Sequence, residues 1–242
     1  MPYHLAIPHR RINTLNYSLN KPHGLYYLHM MHPMQKRELW HAQAVLLIAI
    51  LLQLSVTGAL RVGPKYFVAI LELLLVIVIG FTAPRRHTRT GGSHKTLSVI
   101  LIGLISIANA AQLFLLTKAL IHGATLPGKA LLSGALAIFL TNIIVFGLWY
   151  WELDSPGLSG RHGQNVPPHF DFPQHESMHE SIRNWEPSFF YYLYVSITNG
   201  SAFSPTDTMP LTHIAKSLMS IQALISLITV VLVTARAVNI LG

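Results

Sequence analysis

Hydroxyl side chains crowd the stretch between Thr198 and Pro210, where Ser201, Ser204, Thr206 and Thr208 stand close to Asp207 and long apolar runs lie on either side. Hydroxyls so placed could line a hydrated constriction, with the Asp207 carboxylate drawing cations to its mouth. A second pattern is His175-Glu176-Ser177-Met178-His179, which spells H-E-x-x-H. On a helix this spacing puts two imidazoles on one face to hold zinc, with Glu176 as general base for a bound water. Pro173 lets such a helix begin only just before His175, and Glu180 puts a charge where this pattern prefers none. The third ligand stays open among His162, His169, Glu180 and Glu186, and fourteen histidines make pairs four apart expected by chance. The segment therefore reads as a solvated linker, with no catalytic residues and no metal. Glu72 is the third feature: an ionisable group inside an apolar run is costly in hydrocarbon and faces a partner or a cavity. Gln112 and Lys118 fall at comparable depth, so a contact from Glu72 to Lys118 or Gln112 is expected, with a proton- or ion-coupled role as the alternative.

The elements that must position these residues are membrane spans. Hydrophobic residues make up 51% of the chain and charged residues 11%, a balance that soluble domains do not have. Blocks that reach the ~20 residues needed to cross a bilayer run from Leu39 to Leu60, Tyr66 to Ala83, Leu97 to Ile121, Ala130 to Trp151 and Leu211 to Leu241. The expected fold is all-α and integral to the membrane: five transmembrane helices plus a re-entrant half-helix beginning at Phe189, before the last span. The organisation is a polar basic tail (1–38), a three-span region (39–129) and a final region (130–242) containing a polar linker (152–187). The tail carries no continuous apolar core of the signal-peptide kind. The absence of cysteine excludes disulfides and thiolate chemistry. Gln53, Asn142 and Gln222 are single polar groups of the kind that join helices by hydrogen bonds, and Trp149-Tyr150-Trp151 reads as an interfacial aromatic belt.

The net charge of +8 sits beside the spans rather than on an aromatic-basic face, so no nucleic-acid partner is expected. Arg85, Arg86, Arg89 and Lys95 place their loop, and the N-terminal tail with it, in the cytoplasm. Four crossings then return the linker to the cytoplasm as well. A pore loop would instead have the linker face outward, as the outer loop of a channel does, so either the N-terminus is outside despite its charge or Phe189 to Phe203 is a short sixth crossing of only ~22 Å.

From about Ala130 to Leu241, the order of outer helix, aromatic half-helix, hydroxyl-rich break and long apolar helix resembles the pore domain of the tetrameric potassium-channel superfamily. The family's T-T-V-G-Y-G-D-x-x-P pattern, aligned on Asp207 and Pro210, falls on Ser201-Ala202-Phe203-Ser204-Pro205-Thr206-Asp207-Thr208-Met209-Pro210. The resemblance implies a homotetramer around the last helix and a filter-like segment at Ser201, Ala202, Phe203, Ser204, Pro205, Thr206 and Asp207. Both glycines and the tyrosine of the filter are replaced, and Pro205 fixes its own φ and restricts Ser204. Potassium-type selectivity does not carry over. The function implied is passive permeation of a small ion or solute, in the bacterial cytoplasmic membrane, with no cofactor and no enzymatic activity. The alternatives are a nonconducting membrane scaffold or sensor and, on the H-E-x-x-H pattern alone, a membrane metalloprotease. Ser204-Pro205-Thr206-Asp207 also fits a capping box that simply starts the last helix.

Overall fold

The computed structural model describes residues 36–56, 66, 70, 72–74, 76–77, 92–122, 127–154, 168–176, 185, 187–202 and 207–241. The helices among them are α1 (Lys36–Ser55), α2 (Gly92–Ile121), α3 (Gly128–Asp154), α4 (Phe189–Ala202) and α5 (His213–Leu241), and residues 70, 72–74 and 76–77 are helical too. Thr96–Ile121, Gly128–Asp154 and His213–Ala235 are long and apolar enough to cross a bilayer, while Trp40–Ser55 is apolar but shorter. Helices of this length and composition are those of an integral membrane protein. The third, fourth and fifth expected spans are thus present. The first is described as far as Val56 and the second only in part. The tail before Lys36 and the filter-like residues 203–206 lie outside the described residues.

The middle span is the axis of the fold. Every residue of α3 from Thr141 to Leu148 is buried, so here the helix is enclosed by protein on all sides. Its most apolar stretch is 72% buried, against 44% for α2 and 22% for α5, so α3 is wrapped and α5 is peripheral. α2 packs antiparallel to it: Leu101, Ile102 and Ile105 cluster with Val145 and Trp151, while Leu113 and Leu116 cluster with Leu131 and Ile138, and the Trp149 indole N–H donates to Ser106 Oγ at 3.0 Å. α1 begins at that same end, where His41 meets Phe190 at 5.0 Å between ring centroids.

α4 also runs antiparallel to α3. Phe189 meets the edge of Trp151 at 5.3 Å, and deeper down Ser196 Oγ donates to the Ile143 carbonyl at 2.6 Å. Gly147 makes this approach possible, because a Cβ there would lie 3.2 Å from the Leu193 Cα. At about 1.5 Å per residue, the 14 residues of α4 cover about 21 Å.

After α4 the chain comes back to the end it started from. Phe170–Asp171 (β1) pairs antiparallel with Met209–Pro210 (β2), with Phe170 opposite Pro210 and Asp171 opposite Met209. The Leu211 amide continues the pairing to the His169 carbonyl at 2.9 Å. A crossing by residues 189–203 is therefore not formed, since residues 189 and 209 lie at one end of the bundle. Nor does α5 start at Pro205: Asp207 and Thr208 are not helical, and Thr212 caps the helix by accepting the Ala215 amide at 3.3 Å.

Two further expectations are corrected. Tyr150 and Trp151 are fully buried with Phe170, Phe172, Phe189 and Tyr192, so they form an inner aromatic core rather than a lipid-facing belt. They end the central helix beyond its most enclosed stretch, which is buried from Thr141 to Leu148. Glu72 makes no direct hydrogen bond to Gln112 or Lys118: its carboxylate oxygens and Gln112 Oε1 have no hydrogen-bond partner, and Lys118 is exposed. Six residues on a helix amount to a rotation of about 120°, so Gln112 and Lys118 cannot share a face.

Candidate functional site

The half-helix α4 is held at both ends by polar groups. Its deeper end is fixed by an amide. Gln222, fully buried on α5, donates through Nε2 to the Ser196 carbonyl at 2.8 Å and to Ser196 Oγ at 2.7 Å. Its Oε1 accepts the Tyr150 hydroxyl at 2.5 Å and Asn199 Nδ2 at 2.9 Å. Two donors and two acceptor positions are all an amide has, so Gln222 is saturated. Asn199 Nδ2 also reaches the Met219 carbonyl at 2.9 Å, and Asn142 Nδ2 donates to Ser226 Oγ at 3.0 Å. Three helices, α3, α4 and α5, thus meet in one clamp. Gly200 lets α4 come this close: a Cβ there would lie 3.2 Å from Gln222 Nε2 and 3.2 Å from Ser226 Oγ. Gly200→Leu is therefore expected to push α4 off α5 and lower the thermal midpoint in detergent by several degrees, since overpacking costs about 1–3 kcal/mol; an unchanged midpoint would count against the close approach.

The other end is fixed by a carboxylate. Asp154, at the end of α3, accepts the His169 amide through Oδ1, the Phe170 amide at 3.2 Å and, through Oδ2, the Tyr192 hydroxyl at 2.8 Å. His169 Nδ1 lies 2.6 Å from Thr212 Oγ1, the cap of α5. One acidic side chain therefore ties together the end of α3, the linker strand and α4, and His169 carries the tie on to α5. Phe172 completes this latch, standing edge-on to Tyr192 at 5.3 Å, while the Trp185 N–H donates to the Tyr191 hydroxyl at 3.2 Å.

Of the filter-like residues, Ser201, Ala202 and Asp207 are described. Ser201 and Ala202 end α4 and are exposed, with Ser201 Oγ bonded back to the Ile197 carbonyl at 2.7 Å. Phe203, Ser204, Pro205 and Thr206 lie outside the described residues. Asp207 is exposed and accepts the Thr208 hydroxyl at 3.1 Å, while Thr208 is buried. Glu72 is buried in the other part of the bundle, beside Gln53 of α1, and Lys118 is exposed near the opposite end of α2. In the linker, Pro173–Glu176 forms a single 3-10 turn rather than the α-helix an H-E-x-x-H site requires. His162 and His179 lie outside the described residues. Among the described residues no group of three His, Asp or Glu side chains could hold a metal.

Sequence reasoning expected Asn142 and Gln222 to join helices, and they do. It missed Asn199 and Ser196, which looked like ordinary polar residues of a short helix, and Asp154, which looked like one linker acid among six. No family model, curated protein or solved structure matches this chain.

Proposed function

We propose that this protein is a channel-like membrane subunit: five spans, with α4 a re-entrant half-helix and residues 201–207 forming a constriction where copies of the chain meet. One observation carries the reading. α4 enters beside Trp151, its far end stands beside Met219 and Gln222, well inside α5, and by Met209 the chain is back beside Asp171. Irregular backbone at membrane depth survives only when protein shields it or water reaches it, and the clamp and latch hold the segment in that position. The Gln222 amide beside α4 is spent on Ser196, Tyr150 and Asn199, so what this segment offers a permeant species is the stretch between exposed Ser201 and Asp207. The uncovered face of α5 supports a homotetramer around that helix, as the resemblance to the potassium-channel superfamily implies. Small ions or solutes would pass without potassium-type selectivity, because Ser204-Pro205-Thr206 replaces the glycine-dependent filter.

Liposome flux tests this. The purified chain is expected to pass small ions, with Asp207→Asn lowering the preference for cations over anions and Phe203→Ala raising the flux. Silence toward both classes from an intact tetramer would favour a nonconducting scaffold or sensor, the reading suited to a clamp whose central Gln222 side chain is fully engaged. A stable monomer in detergent would remove the shared pore.

The helix packing supports a shared side for several segments. The starts of α1 and α2 and the end of α3 lie at one end, with Lys36, Arg37 and Lys95 in the first turns of α1 and α2. By the positive-inside rule the linker end faces the cytoplasm, so the half-helix enters from that side. Cysteines introduced at Thr90 and Ser159 are expected to react with a membrane-impermeant maleimide from the same side, and only in inverted vesicles or opened cells. Labelling from opposite sides would break the antiparallel α2 and α3 pairing.

A further inference from the structure

The buried core of the membrane bundle is split in two by a polar layer. Nearer the linker end, Leu46 and Ile50 of α1, Ile105 of α2, Val145 of α3 and Val76 share one apolar cluster. Farther away, Val56 of α1, Leu113 and Leu116 of α2 and Ile138 of α3 share another. Between them, each element carries polar side chains instead: Gln53 one turn before Val56, Asn109 and Gln112 between Ile105 and Leu116, Thr141 between Ile138 and Val145, and Glu72 one turn before Val76. The order apolar, polar, apolar recurs on α1, α2 and α3, and Glu72 likewise lies one turn from the first cluster, so these side chains occupy one level of the bundle. All are shut off from the surface: Glu72 is 0% exposed, Thr141 1%, Asn109 3%, Gln112 4% and Gln53 5%.

The chemistry of the layer is lopsided. Glu72 Oε1 and Oε2, Asn109 Oδ1, Gln112 Oε1 and Thr141 Oγ1 have no hydrogen-bond partner, and the donor left in the same condition is Gln53 Nε2. The Gln53 amide is the group that faces the Glu72 carboxylate, at a geometry short of a regular hydrogen bond. A buried polar atom left unpaired has lost its hydration with nothing in return, so five such oxygens at one level call for a ligand. A proton on Glu72 would serve one acceptor. A metal cation can take several oxygens at once, and hard oxygen donors suit alkali or alkaline-earth ions rather than transition metals. One carboxylate among neutral amides balances a single positive charge, and a divalent ion would leave uncompensated charge in the low-dielectric interior.

We propose that Glu72, Asn109, Gln112 and Thr141, with Gln53 beside them, form a binding site for a dehydrated monovalent metal cation in the middle of the bundle, apart from the re-entrant segment. The site joins α1, α2, α3 and the helical segment around Glu72, so its occupancy stabilises the packing of the first spans on α3.

The test is thermal unfolding of the full chain in detergent, in choline chloride with NaCl or KCl substituted at constant ionic strength. A midpoint that rises with the concentration of one alkali cation and then saturates is expected, as binding to the folded state alone requires. Glu72→Gln keeps the shape and removes the charge, and is expected to abolish the response. Asn109→Leu and Gln112→Leu are each expected to weaken apparent affinity by roughly tenfold. Asp207→Asn is expected to leave the response intact, which separates this site from the proposed pore: a failure of ion flux leaves it standing. Equal midpoints in sodium, potassium and choline would overturn the proposal. So would an undiminished response in Glu72→Gln, or a stability that follows pH identically in all three salts, which would identify a proton as the occupant.

Discussion

Replacing Gln222 by leucine is expected to be among the most destabilising single changes in this chain, although the side chain touches no solvent and no ligand. The substitution keeps the apolar bulk of the site but strips four hydrogen bonds at once. The Ser196 carbonyl and hydroxyl, the Tyr150 hydroxyl and the Asn199 amide lose that partner together. Hydrogen bonds between membrane helices contribute about 0.6–1.7 kcal/mol each, so the loss should come to roughly 3 kcal/mol. Not all of it falls on the same atoms, since Asn199 keeps the Met219 carbonyl and Ser196 keeps the Ile143 carbonyl. Urea or SDS titration of the detergent-solubilised protein should read this as an early transition. Ser220→Ala, two residues away, is the control: its hydroxyl is exposed and bonds within its own helix to the Lys216 carbonyl, so a change below about 0.5 kcal/mol is expected. If Gln222→Leu behaves like Ser220→Ala, the clamp does not hold α4.

The contrast between these two α5 residues explains how much of the site could be read from the sequence. The lengths of the membrane helices were legible because hydrophobic runs of bilayer length have few other uses: the expected Leu97 to Ile121, Ala130 to Trp151 and Leu211 to Leu241 recur with ends shifted by a few residues. The short aromatic helix before the last span was legible for the same reason, from Phe189 onward. Azimuth was not. Depth along a helix follows from residue number, but which side chains meet depends on how the helices turn toward one another. Glu72 was therefore placed at the level of Gln112 but makes no direct bond to it, while Lys118 turned outward. The two-residue strands had no legible signal, because Phe170–Asp171 and Met209–Pro210 are too short to show alternation, and Pro210 is a residue that sheets seldom accept. Tyr150 and Trp151 misled because an aromatic pair at the end of an apolar run fits a membrane interface equally well. Only the wrapping of α3 by four other helices decides that these rings face inward.

Asp154→Ala is expected to open the other end of the half-helix. Three donors converge on this carboxylate, the His169 and Phe170 amides and the Tyr192 hydroxyl, and hydrogen bonds to a charged group contribute about 1.5–3 kcal/mol each. Alanine removes all three acceptor contacts, so a loss of roughly 3 kcal/mol or more is expected, concentrated where the linker meets α4 and α5. Asparagine makes the informative comparison. Its remaining oxygen can still accept the two amides, and its Nδ2 can donate to the Tyr192 hydroxyl, which can turn to accept. Asp154→Asn should therefore cost about 1 kcal/mol, and Tyr192→Phe, which removes one bond of the three, a similar amount. Hydrogen exchange gives the local readout: the His169 and Phe170 amides are expected to exchange at least tenfold faster in Asp154→Ala and within about threefold of the native rate in Asp154→Asn, a factor of ten corresponding to about 1.4 kcal/mol. If both variants exchange alike, the negative charge rather than the hydrogen-bond geometry holds the latch. If neither differs from the native chain, the pairing of β1 with β2 stands without Asp154, and the return of the chain after α4 is secured by the strands alone.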